Sequence, residues 1–290
     1  MGQRNTVDRR LFLKKKKVLI ALIVLFIGFL FLVPIAEAKA YNKISAVVLM
    51  NAVTGEVLFQ ENGNAKMEIA STTKILTAIT VIENADVFMN ASIPKQAVGV
   101  EGSSIYLREG ESWKVLDLLY GLMLRSGNDA AVALACITSG SIENFAILMN
   151  ETARKAGATD SNFTNPHGLH DKNHFSTALD MAKITAYAMR SAIFAGIVKT
   201  KTHKAQKETK DKMEEVVFYN KNKLLYSYPY AIGVKTGYTK HSGRCLVSAA
   251  EKDGVKLICV TLNVYDTYDV AKTQFDRHFQ TITDQNAEIS

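Results

Sequence analysis

Cysteine is scarce in this 290-residue sequence, with only three present. An odd count in a chain of this length does not match the even disulfide frameworks of small secreted domains. Cys136 lies in an apolar run typical of a buried helix, where cysteine acts as a small hydrophobe. Cys245 and Cys259 fall in adjacent predicted strands and could face each other, although a disulfide between them is the less favoured interpretation. Cysteine usage therefore decides little about the fold.

The sequence also lacks a G-x-S-x-G motif, an internal repeat and a low-complexity linker. Without that motif, a Ser-His-Asp hydrolase with a nucleophile elbow has no support. About 250 residues follow the N-terminal segment, which is enough for one large core or two closely packed lobes.

Net charge is almost absent beyond residue 40, although the whole sequence carries +7. Residues 1–40 hold eight Lys or Arg and two Asp or Glu, which leaves 27 basic and 26 acidic residues in the remainder. Such a balance argues against a nucleic-acid partner. The run 199–212 is rich in lysine but is interrupted by Glu208 and Asp211. We predict a solvated hairpin or loop there, rather than a contact with a wall polymer.

The N-terminus combines a basic flank with an apolar run from Val18 to Val33. Small-x-small patterns at 36–38 and 38–40 follow, and a signal peptidase could cut there. The run lies between a long signal core and a short membrane span, since a spanning helix needs ~20 residues. We predict that residues 1–40 are a signal peptide or an N-terminal membrane anchor, and favour cleavage near Lys39 or Tyr41. The basic flank stays in the cytoplasm, so the rest of the chain is expected to be exported.

Segments typical of strands lie near both ends of the remaining chain, and helical segments lie between them. Apolar stretches on both sides of a turn at 51–55 predict an N-terminal hairpin. Apolar residues at helical spacing predict helices at 75–83, 115–124, 128–139, 142–156, 178–194 and 267–279. Further strands are predicted at 231–236, 244–251 and 255–263. The last two are joined by Asp253-Gly254, a strong hairpin turn.

Strands from both chain ends around a helical insert predict an α/β fold. We expect one antiparallel sheet flanked by helices, with an all-helical lobe and a cleft between them. The catalytic domain is predicted to span residues 41–282, and residues 283–290 form a short C-terminal tail.

Three short motifs occur in one order along this domain. Ser71 and Lys74 form an S-x-x-K pair one helical turn apart, so that both side chains lie on one face of a helix. Ser126 and Asn128 form an S-x-N motif, and a K-T-G motif begins at Lys235. A serine hydroxyl is a weak nucleophile and needs a base. The three motifs together predict a serine acyl-transfer site in which a lysine is that base.

The ordered motifs resemble those of the low-molecular-mass penicillin-binding proteins, specifically the serine D-alanyl-D-alanine carboxypeptidases. Other segments resemble the same family: Ile69-Ala70, Gly102-Ser103-Ser104 with Leu107 and Gly110, Asp129-Ala130-Ala131, 165–169 and 176–182. The resemblance implies a β-lactamase/transpeptidase-like fold for residues 41–280. It also implies removal of the terminal D-Ala from peptidoglycan stem peptides, covalent inhibition by β-lactams and a location at the cell wall. No cofactor is expected.

Each motif residue has an expected role. Ser71 is the predicted nucleophile, and Lys74 can be its base only if burial or nearby positive charge lowers the lysine pKa. Ser126 would relay a proton to the departing amine, and Asn128 would hold the peptide backbone. The predicted carboxylate-binding residues are Lys235 and Thr236.

Two further roles concern the end of the K-T-G motif. Gly237 would let the sheet edge approach a bound peptide closely. By family analogy, the backbone N–H groups of Ser71 and Tyr238 would form the oxyanion hole.

Simpler interpretations apply to each motif taken alone. Lys74 could be a solvated helix lysine, and Asn128 could cap the helix that begins there. The K-T-G residues could be a strand end that enters a turn. His167, His170 and His174 have spacings that suggest zinc. Their segment is predicted to be a loop, and no metal site is predicted.

Two other functions are considered beside the carboxypeptidase. A class A β-lactamase deacylates with a glutamate, and the only glutamate between residues 150 and 180 is Glu151, which lacks the E-x-x-L-N setting. A weakly active wall-binding or sporulation-associated module is the least favoured function, because the motifs are intact. Endopeptidase action on cross-links stays open within the leading class. Many relatives continue into a β-rich domain and a C-terminal membrane helix, so a tether of this chain, which ends at Ser290, is expected only at the N-terminus.

Overall fold

The computed structural model describes residues 44–289, with side chains as far as Thr281. The predicted signal peptide or anchor at residues 1–40 lies outside the described residues. Within them, no single helix is long and apolar enough to cross a membrane, while two sharply bent helix pairs pass on length and composition alone.

The strands agree with the predicted positions near both ends of the domain and add others in its middle. They are β1 (Ala46–Asn51), β2 (Val57–Glu61), β3 (Asn90–Ser92), β4 (Ser112–Lys114), β5 (Thr202–Glu208), β6 (Met213–Tyr219), β7 (Ala231–Thr239), β8 (Gly243–Lys252) and β9 (Val255–Leu262).

The helices fill the middle of the domain and close it. They are α1 (Lys74–Asn84), α2 (Val115–Tyr120), α3 (Asn128–Ser139), α4 (Ile142–Lys155), α5 (Ala178–Ala188), α6 (Ala192–Lys199), α7 (Leu224–Ser227) and α8 (Thr267–Ile289). Helix α2 continues as a π-helical segment, Gly121–Arg125. The helix predicted at 178–194 is two helices with a break at 189–191, and α8 runs past its predicted end at Phe279 to Ile289.

The main sheet is antiparallel and has the strand order β2-β1-β9-β8-β7. Strands from both ends of the chain therefore complete one sheet, as predicted. The turn between β8 and β9 uses Asp253 and Gly254, both with positive φ, which matches the right-handed twist of a hairpin. Strand β7, which carries the K-T-G motif, is an edge strand of this sheet.

Alternation along β8 and β9 places the two strand cysteines on opposite faces of the sheet. Cys245 packs in the core beneath the helical lobe, whereas Cys259 packs in the second core with Leu257 and Phe275 of α8. Both thiols are free, and so is Cys136. The two strand positions do not face each other, because Cys259 pairs with Ser248 across the ladder.

The expectation of a single sheet is wrong. A second antiparallel sheet has the order β3-β4-β5-β6, and the lysine-rich run at 199–212 contributes β5 to it. Trp113 on β4 is buried and stacks on Phe218 of β6. Lys207 pairs with the buried Glu111 at 2.7 Å, so part of this hairpin is packed rather than solvated.

Helix α1 runs through the centre of the molecule and is buried over its first two turns, as its nearly all-apolar sequence predicted. It packs against α3, α4 and α5. A helix buried on every side can hold a charged residue only if that residue is partnered. The first residue of α1 is Lys74, and its partners define the candidate site.

Candidate active site

Ser71 lies in a short 3-10 turn, Ala70–Thr73, that leads directly into α1. Ala70 has a φ of +48°, a conformation that a non-glycine residue adopts only when its surroundings impose it. Part of that constraint is visible: the loop that contains Gly168 packs on the Ala70 carbonyl. The serine is thus presented on a rigid turn at the N-terminus of a buried helix.

The Lys74 amine meets three oxygen acceptors. Its Nζ lies 3.0 Å from Ser71 Oγ, 2.7 Å from Asn128 Oδ1 and 2.6 Å from the His167 carbonyl oxygen. A charged ammonium donates to all three. A neutral amine has two hydrogens, and it can donate them in hydrogen bonds to Asn128 Oδ1 and the His167 carbonyl oxygen. Its lone pair is then left facing the Ser71 hydroxyl. This arrangement is suited to removing a proton from that hydroxyl.

Two physical effects lower the pKa of Lys74 well below its usual value. Burial is the larger, because the side chain is fully buried, and positive charge on Lys235 and Lys221 adds to it. Asp129 acts in the opposite direction. The solvated-lysine interpretation of Lys74 is therefore wrong. A lysine base was expected to need a lowered pKa, and the pKa of Lys74 is lowered.

Ser126 and Asn128 lie where the π-helical segment ends and α3 begins. Ser126 has a φ of +64° and is almost fully buried. Asn128 does not cap α3, because Gly127 occupies the N-cap position and the Asn128 amide bonds to groups outside the helix. Its Oδ1 accepts from Lys74, and its Nδ2 donates to the Glu101 carbonyl at 2.6 Å. One lone pair and one hydrogen of the amide remain for a substrate.

Strand β7 packs its K-T-G motif against the turn that carries Ser71. Lys235 is buried, and its Nζ donates to the Thr236 carbonyl at 2.9 Å. A Cβ on Gly237 would lie 3.1 Å from the Ser71 nitrogen and 3.2 Å from the Ala70 Cβ. A side chain at position 237 would thus crowd the turn of the serine, a constraint that the sequence does not reveal. Tyr238, next along the strand, is exposed.

Burial, together with positive charge on Lys221, lowers the pKa of Lys235 to about 7. Two lysines of lowered pKa therefore share one cleft. Near neutral pH, Lys235 carries its charge only part of the time. An anionic substrate group would favour the charged form.

Three contributors to this site were missed from the sequence. Lys221 lowers the pKa of both buried lysines and has no motif around it. The His167 carbonyl holds Lys74, a role that no side-chain pattern can reveal. Asp129 accepts hydrogen bonds from the backbone N–H of Ile105 and Leu107, and so fixes the 102–107 loop beside Asn128.

The histidines of the 165–174 loop do not converge on a common point. His174 is buried, accepts from the Thr164 N–H through Nδ1 and contacts Thr73 Oγ1 through Nε2. Burial, the Lys74 charge and His174 lower the pKa of His167 to about 3, in that order of size. The rings of His167 and His174 thus belong to the loop that surrounds Lys74. Among the three histidines of this loop, only His170 lies in a potential ligand cluster within the described part of the chain.

Gly168→Ala is expected to destabilise the protein strongly. Gly168 has a φ of +82°, and a Cβ there would lie 1.9 Å from the Ala70 carbonyl oxygen. The left-handed backbone costs roughly 1–2 kcal/mol for alanine, and the overpacking costs typically ~1–3 kcal/mol more. Urea unfolding of the variant should therefore show a loss of about 2–5 kcal/mol.

Gly140→Ala is the matched control for this prediction. Gly140 has a φ of +83° and open space where a Cβ would go, so it isolates the backbone cost. If Gly168→Ala lost no more stability than Gly140→Ala, the contact between the loop and the Ser71 turn would have no energetic weight.

The fold places this chain in the structural class of the DD-transpeptidases. The crystal structure of the Streptomyces K15 DD-transpeptidase superimposes with a TM-score of 0.71 at 34% sequence identity, over 74% of this chain and 88% of that one. The α/β fold class predicted from the sequence is thereby confirmed. The D-alanyl-D-alanine carboxypeptidase family, peptidase S11, matches residues 35–266, and the chain belongs to this family. The resemblance stated from the motifs is correct.

Two curated relatives bear the name D-alanyl-D-alanine carboxypeptidase. DacF of Bacillus subtilis is 34% identical over 254 residues, which is 82% of this chain. The protein of Streptomyces sp. strain K15 is 35% identical over 243 residues, which is 78% of this chain and 84% of its own length. The chain spans 64% of the length of DacF and of the Escherichia coli relative DacC.

Proposed function

We propose that this protein is a serine D-alanyl-D-alanine carboxypeptidase that acts on peptidoglycan stem peptides and is acylated by β-lactams. The observation that carries the proposal is the position of Lys74: its buried amine lies 3.0 Å from Ser71 Oγ and is held by two further acceptors. Family membership supports the substrate class, and the short distance between Lys74 and Ser71 supports their pairing as base and nucleophile.

The proposed reaction has two stages. Neutral Lys74 takes the Ser71 proton while Oγ attacks the carbonyl carbon of the penultimate D-Ala, which gives a tetrahedral oxyanion. The C–N bond then breaks, and the terminal D-Ala leaves as its amine receives a proton through Ser126. Water attacks the resulting acyl-enzyme, and the shortened peptide leaves as a carboxylate while Ser71 regains its proton.

Substrate binding uses the edge strand β7. An extended peptide can lie along that edge, with its terminal carboxylate on Lys235 and Thr236. Backbone N–H groups of Ser71 and Tyr238 would donate to the oxyanion. The close approach of the Gly237 backbone to the Ser71 turn supports this pairing, because a Cβ on Gly237 would already crowd the Ser71 nitrogen.

A free C-terminal carboxylate is expected to be required by the substrate. The charge-assisted hydrogen bonds from Lys235 and Thr236 are worth roughly 1.5–3 kcal/mol or more when their loss leaves buried partners unpaired. An amidated D-Ala-D-Ala pentapeptide should therefore be cleaved with a kcat/KM at least ~10-fold lower than the free acid. The measurement is release of D-Ala, or of its amide, by mass spectrometry.

The same assay distinguishes other outcomes. Equal hydrolysis of both peptides would reject the carboxylate role of Lys235 and Thr236 and would favour an endopeptidase that cleaves cross-links. Because the structural relative from Streptomyces K15 is described as a DD-transpeptidase, an amine acceptor should be included. Peptide joined to the acceptor in excess of hydrolysed peptide would reject hydrolysis as the main fate of the acyl-enzyme.

A β-lactamase function has less support. Glu151, the one glutamate in the relevant stretch, is exposed on helix α4. A wall-binding module has no need of a buried lysine with a lowered pKa beside a serine. We further propose that residues 1–40 export the domain to the cell wall or to the outer face of the cytoplasmic membrane. If that segment is uncleaved, it would hold the domain at the membrane.

A further inference from the structure

A second cluster of potential ligands lies on the surface near the serine turn. It consists of Glu68, His170 and His241, whose ligand atoms all lie within 4.8 Å of one another. His170 Nδ1 is 2.9 Å from Glu68 Oε1, and His241 Nδ1 is 4.0 Å from the same oxygen. The two imidazole rings stack with centroids 4.1 Å apart. The sequence did not suggest this set, because its members are far apart along the chain.

The three side chains come from three segments that also build the candidate active site. Glu68 lies two residues before the turn Ala70–Thr73, which carries Ser71. His170 lies in the same loop as Gly168, which packs on that turn. His241 lies in the turn between β7 and β8, just after the K-T-G motif. A ligand held by all three residues would link the serine turn, the 165–170 loop and the edge hairpin.

The donor set fits a borderline transition-metal cation. Two imidazole nitrogens and one carboxylate oxygen form a recurrent three-residue set for Zn²⁺, which leaves a fourth position for water. Tetrahedral bonds of ~2.0–2.2 Å place neighbouring ligand atoms ~3.3 Å apart. The separations from Glu68 Oε1, 2.9 Å to His170 and 4.0 Å to His241, bracket that value, and all three ligand atoms lie within 4.8 Å of one another.

Adjustment toward metal geometry should be easy for these side chains. The side chains of His170 and His241 are 48% and 59% exposed, and that of Glu68 is 29% exposed. Exposed side chains change rotamer without disturbing a core. The hydrogen bond from His170 to Glu68 already orients one imidazole toward the carboxylate.

We propose that Glu68, His170 and His241 form a Zn²⁺ site that clamps the serine turn, the 165–170 loop and the β7–β8 turn together. The site is separate from the Ser71 chemistry and does not depend on the proposed reaction. A cation bound by three segments of the folded chain has no equivalent site in the unfolded chain. Its binding therefore stabilises the native state.

Calorimetric titration of metal-free, untagged protein with ZnCl₂ tests the site directly. One Zn²⁺ should bind per chain. His170→Ala, His241→Ala and Glu68→Gln should each weaken binding by at least ~10-fold, since loss of even an outer partner of a metal site costs about 10–100-fold. His278→Ala, which removes a histidine of α8 outside the cluster, should bind as the wild type does.

Thermal unfolding with and without Zn²⁺ gives a second readout. The unfolding temperature of the wild type and of His278→Ala should rise with Zn²⁺, and that of His241→Ala should not. Equal metal-free unfolding temperatures would show that the variants are folded. The decisive comparison is with a triple variant that lacks the ligands of Glu68, His170 and His241. If that variant bound Zn²⁺ as tightly as the wild type does, the proposal would be overturned.

Discussion

Ser71→Ala is expected to abolish covalent labelling by penicillin. The variant keeps the turn and the Lys74 network but has no oxygen to attack the β-lactam carbonyl, so no acyl-enzyme can form. Intact-protein mass spectrometry after incubation with penicillin should show one adduct on the wild type and none on the variant. The same variant should release no D-Ala from a D-Ala-D-Ala pentapeptide.

Ser92→Ala is the matched control, because Ser92 and Lys95 also form an S-x-x-K sequence. That pair lies at the exposed end of β3 and in a short 3-10 turn, with Pro94 between its members. Ser92 and Lys95 therefore lack the buried helix that holds Lys74 next to Ser71. Labelling should be unchanged in Ser92→Ala. Full labelling of Ser71→Ala would reject the assignment of the nucleophile.

The sequence predicted the parts of the fold in which local pattern and tertiary packing agree. Strong apolar periodicity located α3 and α4 closely, and the Asp253-Gly254 turn located the β8–β9 hairpin. The second sheet was missed because β5 has charged residues along much of its length. A charged run is normally solvated, and only the tertiary partner Glu111 reveals that Lys207 is packed.

The candidate site also has residues that the sequence could identify and others that it could not. Side-chain motifs in order along the chain could be identified, and the structure brings Ser71, Lys74 and Asn128 into one hydrogen-bonded group. Groups that act through the backbone or through charge at a distance leave no recognisable motif in the sequence. The His167 carbonyl and the Lys221 ammonium become visible only when segments distant in sequence are brought together.

Gly237 has a structural role that its sequence context did not indicate. From the sequence, its lack of a side chain was expected to make room for a bound peptide at the sheet edge. In the structure, a Cβ at this position would press on the Ser71 nitrogen and on the Ala70 side chain. The glycine thus lets the strand lie close to the turn that carries Ser71, which the sequence alone cannot show.

Lys221 gives a test of the electrostatic part of the mechanism. Acylation needs neutral Lys74, so its rate should rise with pH through the Lys74 pKa and level off above it. The positive charge of Lys221 lowers that pKa. Lys221→Met should therefore raise the Lys74 pKa and move the acid limb of the acylation profile to higher pH. The limiting rate at high pH should be retained, because the base itself is intact.

Lys74→Met is expected to slow acylation by penicillin at least ~100-fold, which is the usual cost of losing a positioned general base. Methionine fills much of the same buried volume without an amine, so the comparison with Lys221→Met separates loss of the base from loss of a neighbouring charge. Stopped-flow acylation over a range of pH is the measurement, with circular dichroism to verify the fold. If Lys74→Met were acylated at a near-normal rate, or kept the wild-type acid limb, another group would have to activate Ser71.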